Sequence, residues 1–321
     1  MDDATSRRQA SSAGPSPARA GAPVDVRPSP HAAAVASMAA AAIVWGGAVG
    51  ITKLALTDVP PLTLAFLRFA AASLLLVAFE RRRSDAPSLR SLPWRQLAVL
   101  GLTGVALFFA LINSGLALTT ASDTALISGA MPAAAAAAGW LFLRQRLDAI
   151  GLLALALSVA GAAIVATAQA PGPELPGRLV GNLLVAGSVA SWALYTVAGG
   201  RLQSVPPLTA VTWSGALGAL FLAPVAALEL FGGARITLTV PALLAFVYLT
   251  LGASCVAYLL WNRGVRVVSA FESGVVVNLI PVAGVAAAVL LVGERLEPRQ
   301  LVGGALILAG VLLVAARRRA G

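Results

Sequence analysis

Val59-Pro60-Pro61-Leu62-Thr63 and Val205-Pro206-Pro207-Leu208-Thr209 are the same five residues, 146 positions apart. Each copy opens a long apolar run, so the pentapeptide marks one turn in two related segments. Further along, a constant separation of 149 relates Asn113 to Asn262, Gly115 to Gly264, Asp123 to Glu272, Pro132 to Pro281, Arg146 to Arg295 and Gly161 to Gly310. Upstream, Trp45 answers to Trp192. The chain is a tandem duplication. A membrane-spanning helix needs about 20 mostly apolar residues. Runs of that length predict helices at Ala33 to Leu54, Leu62 to Phe79, Gln96 to Leu118, Asp123 to Leu143 and Asp148 to Ala168. A second set follows at Leu179 to Gly199, Leu208 to Leu230, Pro241 to Trp261, Glu272 to Val292 and Arg299 to Ala316. Five spans per half is an odd number, so the second half crosses in the opposite sense to the first. The expected fold is an all-α polytopic membrane protein of ten transmembrane helices in two inverted five-helix repeats. Alternating-access carriers built this way place the substrate near the midplane between the repeats.

Composition agrees with a lipid environment. The 321 residues are 59% hydrophobic and 11% charged, with a mean hydropathy of +0.87, where a soluble domain carries about 25% charged residues. One Cys and one His cannot build a disulfide framework or a Cys/His metal site, so no metal or other cofactor is expected. The net charge of +10 would suggest nucleic acid as a partner for a soluble protein. Here the arginines sit at helix ends, where they set topology instead, and no nucleic acid is expected. With the N-terminus inside, seventeen of the 23 Lys and Arg fall on the cytoplasmic side, among them Arg81-Arg82-Arg83 and Arg317-Arg318-Arg319. Only Lys53, Arg178, Arg235, Arg295 and Arg299 fall on the other, and Arg68 lies within a helix. The expected location is the inner (cytoplasmic) membrane, multi-pass, with both termini cytoplasmic. Residues 1–32, rich in Ala, Ser, Pro and Arg, read as a disordered cytoplasmic tail. Residues 317–321 read as a basic cytoplasmic C-terminus.

Several short motifs recur in a telling order. Ile43-Val44-Trp45-Gly46-Gly47 lies in the first helix and Leu67-Arg68-Phe69 in the second; Met131-Pro132 and Ile280-Pro281 lie inside the fourth and ninth. Ser191-Trp192-Ala193-Leu194-Tyr195 lies in the sixth, and Gly293-Glu294-Arg295-Leu296 follows the ninth. Together they resemble the ten-helix branch of the drug/metabolite transporter superfamily, the EamA-type permeases, with repeats over 33–170 and 179–316. The resemblance implies a ten-helix bundle around a central cavity and a role in export or uptake of metabolites or drugs. The first half departs from the pattern, with Arg144-Gln145 where the second keeps Gly293-Glu294.

Candidate substrate-binding residues are Trp45, Arg68, Asn113, Pro132, Trp192, Tyr195, Tyr258, Asn278 and Pro281. A charge at a helix centre costs about 2.5–3.5 kcal/mol on insertion scales, so Arg68 reads either as a contact for an anionic substrate or as a packing charge that snorkels. Pro132 and Pro281 each remove a backbone donor in mid-helix, which gives a broken helix at the transport site or a kink that only shapes packing. The aromatics suit flat organic substrates, although Trp and Tyr also gather at membrane interfaces, and Trp261 reads as an interfacial anchor. Asn113 and Asn278 read as substrate ligands or as bridges between helices. Asp123 and Glu272 read as helix N-terminal acids or as proton-exchanging groups. Glu80, Glu229 and Glu294 read as solvated acids at the interface.

The function expected is that of a secondary transporter moving a small metabolite or drug by alternating access, with export the expected direction. Its partners are a small-molecule substrate, the lipid bilayer and, as candidate coupling ion, protons. A passive channel would show flux that does not saturate, and a small-molecule sensor would bind without flux. An intramembrane enzyme would need a nucleophile with its base, or a metal cluster, and the one His, His31, reads as part of the tail.

Overall fold

The computed structural model of the protein describes residues 29–84, 86–144, 149–168, 175–200, 202, 204–268 and 270–317. Most of the expected tail, the repeat position Arg146, Gln145 of the departing motif and residues 318–321 lie outside the described set. Among the described residues there is no strand. The first half contributes α1 (Pro30–Ala55), α2 (Pro61–Arg81), α3 (Trp94–Leu118), α4 (Ala121–Ser128), α5 (Met131–Leu143) and α6 (Ala149–Thr167). The second contributes α7 (Arg178–Gly199), α8 (Pro207–Phe231), α9 (Val240–Gly264), α10 (Ala270–Val277), α11 (Leu279–Leu291) and α12 (Pro298–Arg317). Proline opens α1, α2 and α8, where its missing N–H costs nothing. The side chains of Ser29, Thr120 and Thr239 accept the N–H groups of Ala32, Asp123 and Ala242 at the starts of α1, α4 and α9. α1 therefore takes in His31, which the sequence had placed in the tail.

Among the described residues seven helices are long and apolar enough to cross a membrane: α1, α2, α3, α6, α7, α8 and α9. The pair α4 and α5, bent by 41°, makes an eighth if it is one span, while Val275–Leu291 and Pro298–Leu313 are shorter apolar stretches. The fourth and ninth expected helices are thus interrupted. Pro132 stands in the first turn of α5 and Pro281 near the start of α11, because a proline ring clashes with the carbonyl one turn earlier and favours a fresh start over a continuous helix. Leu74, Leu220, Leu228 and Leu290 point outward with 65–79% of their surface exposed, a face that suits lipid tails and not water.

Packing is reciprocal between the halves. α2 lies along α8 and α6 along α12; α1 packs on α9 and α11, and its counterpart α7 packs on α3 and α5. Small residues set the approach. A methyl on Gly161 of α6 would meet the Gly303 carbonyl of α12 at 2.5 Å, and one on Gly310 of α12 would meet the Ala154 carbonyl of α6 at 2.5 Å, both pairs related by 149 positions. Two π-helical stretches, Leu102–Leu107 in α3 and Tyr248–Val256 in α9, occupy overlapping positions of the repeat. Such widened turns free backbone carbonyls and often accompany functional sites.

The three acids expected in solvent are tied to helix starts instead. Glu229, at the end of α8, accepts the N–H groups of Leu62 and Thr63 at 3.2 and 2.7 Å and the Thr63 hydroxyl at 2.8 Å, at the start of α2. Glu80, buried at the end of α2, accepts the Thr209 hydroxyl at the start of α8. Glu294, after α11, accepts the N–H groups of Ala121 and Ser122 at 2.7 and 2.8 Å. A helix start carries unpaired N–H groups and a positive dipole end, so a carboxylate from a neighbouring helix gains more there than in solvent.

Candidate functional site

Between α2, α3, α7, α8 and α9 the side chains leave a narrow cleft of about 20 Å³, room for about one water molecule as it stands. Trp192 and Tyr195 of α7 form an aromatic wall with Tyr258 of α9 and Phe69 of α2, and Ser73, Ser214 and Ser254 supply hydroxyl groups. The Trp192 ring leans on Phe108 at 5.2 Å and on Tyr195 at 4.8 Å between centroids. Tyr195 fits because its neighbour on α3 is Gly104, where a methyl would overlap the ring.

Arg68 lies behind this wall. It is 6% exposed; its Nε donates to Ser254 Oγ at 2.7 Å, and that hydroxyl donates in turn to the Leu249 carbonyl at 2.9 Å inside the π-helical stretch. Its guanidinium carbon lies 5.1 Å from the centre of the Phe69 ring and 4.8 Å from that of Phe109, a cation–π arrangement. Among the described residues neither terminal amino group has a hydrogen-bond partner.

The other candidates lie elsewhere. Trp45 stands behind the wall, donating from Nε1 to the Ala253 carbonyl at 2.9 Å and packing on Tyr258 and Trp261 at 5.1 and 5.4 Å. Trp261 is thus held by Trp45. Asn113 bridges α3 to the start of α2 through the Pro61 carbonyl at 3.2 Å. Asn278 sits at the break between α10 and α11. Pro132 and Pro281 are outside the cavity wall; the two helix breaks adjoin, since a methyl on Gly129 would lie 3.4 Å from Pro281 Cβ.

A second constellation gathers at the end of the bundle where α3 stops and α4, α7 and α12 start. Asp123 is fully buried. Its carboxylate accepts Arg178 Nε at 2.8 Å, Asn182 Nδ2 at 3.2 Å, the Thr119 hydroxyl at 3.1 Å and Gln300 Nε2 at 2.7 Å. Beside it, Lys53 Nζ donates to the carbonyls of Leu116 and Thr119 at 2.8 and 2.6 Å. Asp123 is therefore a hub, and Thr120 caps its helix. Arg178, Asn182, Gln300, Ser254 and the other cavity serines are absent from the sequence-derived set. One signal pointed to Arg178: it follows His31 by 147 positions, as Trp192 follows Trp45, and His31 Nε2 lies 3.0 Å from Glu272, the counterpart of Asp123.

The sequence pattern of the EamA-like transporter family matches residues 32–167 and again residues 179–316. The chain belongs to the EamA-like transporter family. Among its relatives, an uncharacterized transporter of Archaeoglobus fulgidus is 28% identical over 86% of this chain and 95% of the relative. A protein of Salmonella typhimurium named as a probable amino-acid metabolite efflux pump is 27% identical, covering 84% of this chain and 91% of its own length. One of Streptantibioticus cattleyicolor named as a probable terminal-alkyne amino-acid exporter is 26% identical, covering 88% and 93%. A solved crystal structure shares the fold, with a TM-score of 0.61 and 21% identity over 90% of this chain and 99% of that one. This EamA-like protein is accordingly a transporter of the membrane, its substrate a small molecule and its surroundings lipid.

Proposed function

We propose that the protein exports a small metabolite across the cytoplasmic membrane by alternating access, through ten spans arranged as two inverted repeats with both termini in the cytoplasm. The observation that carries this reading is the difference between the two ends of the bundle. At one end the buried Asp123 hub and the half-buried Glu229 and Glu294 join the halves through polar contacts, and beside them Lys53 ties α1 to the end of α3. The cavity lies away from that seal. Trp192 and Tyr195 sit in the last third of α7, and Val211, Ser214 and Gly215 in the first half of α8. At this opposite end Glu80 still joins Thr209 across the halves, but the counterpart of the buried Asp123–Arg178 pair is Glu272–His31, with side chains 39% and 53% exposed. The arginine-rich segments belong to the same end, so the reading is of a carrier sealed outside and facing the cytoplasm.

Reciprocal packing and adjoining breaks in α4–α5 and α10–α11 support two rigid halves that exchange roles. Two relatives, one named as a probable efflux pump and one as a probable exporter, favour export. Counterflow in liposomes containing the purified protein tests the proposal, with amino acids, organic acids, sugars and cationic drugs as the panel. Saturable exchange of one compound class is the expected result, and acceleration by an imposed proton gradient would support proton coupling. Flux that does not saturate would make the protein a channel; binding without flux would make it a sensor.

A further inference from the structure

The cavity wall carries aromatic, aliphatic and hydroxyl side chains and neither Asp nor Glu. One hydrogen bond behind it stands a cation. Arg68 commits Nε to Ser254, and the flanking rings of Phe69 and Phe109 attract its charge without accepting its in-plane N–H groups. Among the described residues no carboxylate pairs with it. A charge held this far from water is costly unless it is paired and hydrogen-bonded, and a guanidinium with open donors matches a carboxylate in a two-bond fork.

Resting on the transport reading above, we propose that the substrate is an organic monoanion. The cleft widens about the substrate, whose carboxylate reaches past Ser254 to the open N–H groups of Arg68 while a flat apolar or aromatic body lies against Trp192, Tyr195 and Tyr258. A cationic amine finds no counter-charge in the wall and is repelled by the guanidinium. A zwitterionic amino acid satisfies Arg68 but leaves its ammonium desolvated and unpaired. With the monoanion bound, the site's net charge is zero, which lowers the cost of enclosing it in a low-dielectric interior.

Four indoles that share one ring and differ in charge test the class: indole-3-acetate, indole-3-acetamide, tryptamine and tryptophan. Thermal stabilisation of the purified protein reports binding, and competition in counterflow reports transport. Indole-3-acetate is expected to act at a concentration at least about tenfold below the other three, the least that one charge-assisted hydrogen bond provides. Arg68→Gln is expected to erase the difference between acid and amide, and Arg68→Lys to keep the acid preference at weaker affinity. Should Arg68→Gln fail to fold, the wild-type ranking and Arg68→Lys decide. Equal or stronger action of tryptamine or tryptophan overturns the monoanion class. An acid preference that survives in Arg68→Gln overturns the role of Arg68. Acid binding without flux keeps the class and removes the transport reading, whereas flux of the amine without acid binding does the reverse.

Discussion

Arg144 ends α5 with φ of +53°, in the left-handed region, and Gly293, 149 positions later, has φ of +76°. The left-handed conformation brings Cβ against the following carbonyl at a cost of about 1–2 kcal/mol, which glycine escapes. The departure at Arg144-Gln145 therefore has a physical content: the first half makes the same turn with a residue that strains to do so. Gly293→Ala is expected to lower stability by about 1 kcal/mol, read as a lower midpoint of thermal unfolding in detergent. Arg144→Gly should raise it by less, since glycine also frees the unfolded chain by about 0.4–1 kcal/mol. Gly104 is a different case, required by its neighbour and not by φ. A methyl there would overlap the Tyr195 ring, and overpacking of this kind costs about 1–3 kcal/mol. Gly104→Ala should displace Tyr195 from the cavity wall and weaken apparent substrate affinity in transport assays, and adding Tyr195→Leu should recover part of the loss.

At the scale of elements, α2 and α8 run antiparallel, each closing on the other's start through Glu80 and Glu229. A cap of this kind is worth about 1 kcal/mol, more where a charged acceptor takes several donors. Glu229→Ala, which releases three hydrogen bonds, is expected to cost about 2 kcal/mol of stability. Combination with Glu80→Ala should be close to additive, because the two acids cap opposite ends of the pair; thermal unfolding of the three variants checks both statements. The helices themselves were legible in the sequence because apolar runs of spanning length leave few alternatives in lipid, and Pro132 and Pro281 marked the breaks. The side on which each proline falls was not legible, since a kinked helix and a restarted one share the same residues. Nor were the π-helical stretches, which no residue type in Leu102–Leu107 or Tyr248–Val256 announces. Glu80, Glu229 and Glu294 misled for a related reason: an acid near a helix end looks solvated until the neighbouring helix start is in view.

Across the whole molecule, the duplication announced where equivalent residues lie but not how far they differ. Trp192 lines the cavity while Trp45 is pinned to the Ala253 carbonyl, and Asp123–Arg178 is buried while Glu272–His31 is exposed. A repeat predicts symmetry, whereas the two halves pack differently, so a cleft displaced toward one end could not be read from matching letters. The same asymmetry yields the last prediction. If the Asp123 hub is the outer seal, breaking it should repopulate the outward-facing state without touching the cavity. Removing one partner of a buried ion pair costs about 3–5 kcal/mol, charged here to the sealed state. A bias of that size shifts a two-state equilibrium more than a hundredfold. Ser73→Cys, placed in the cavity wall of a Cys255→Ala chain, gives a thiol whose modification by an impermeant reagent reports access from each side. Asp123→Asn and, separately, Arg178→Gln should speed labelling from the outer face and slow it from the cytoplasmic face, with Gln300→Ala doing so more weakly because it removes one neutral donor. A lower unfolding midpoint with unchanged labelling would make the hub a structural fastening and leave the seal to Glu229, Glu294 and Lys53.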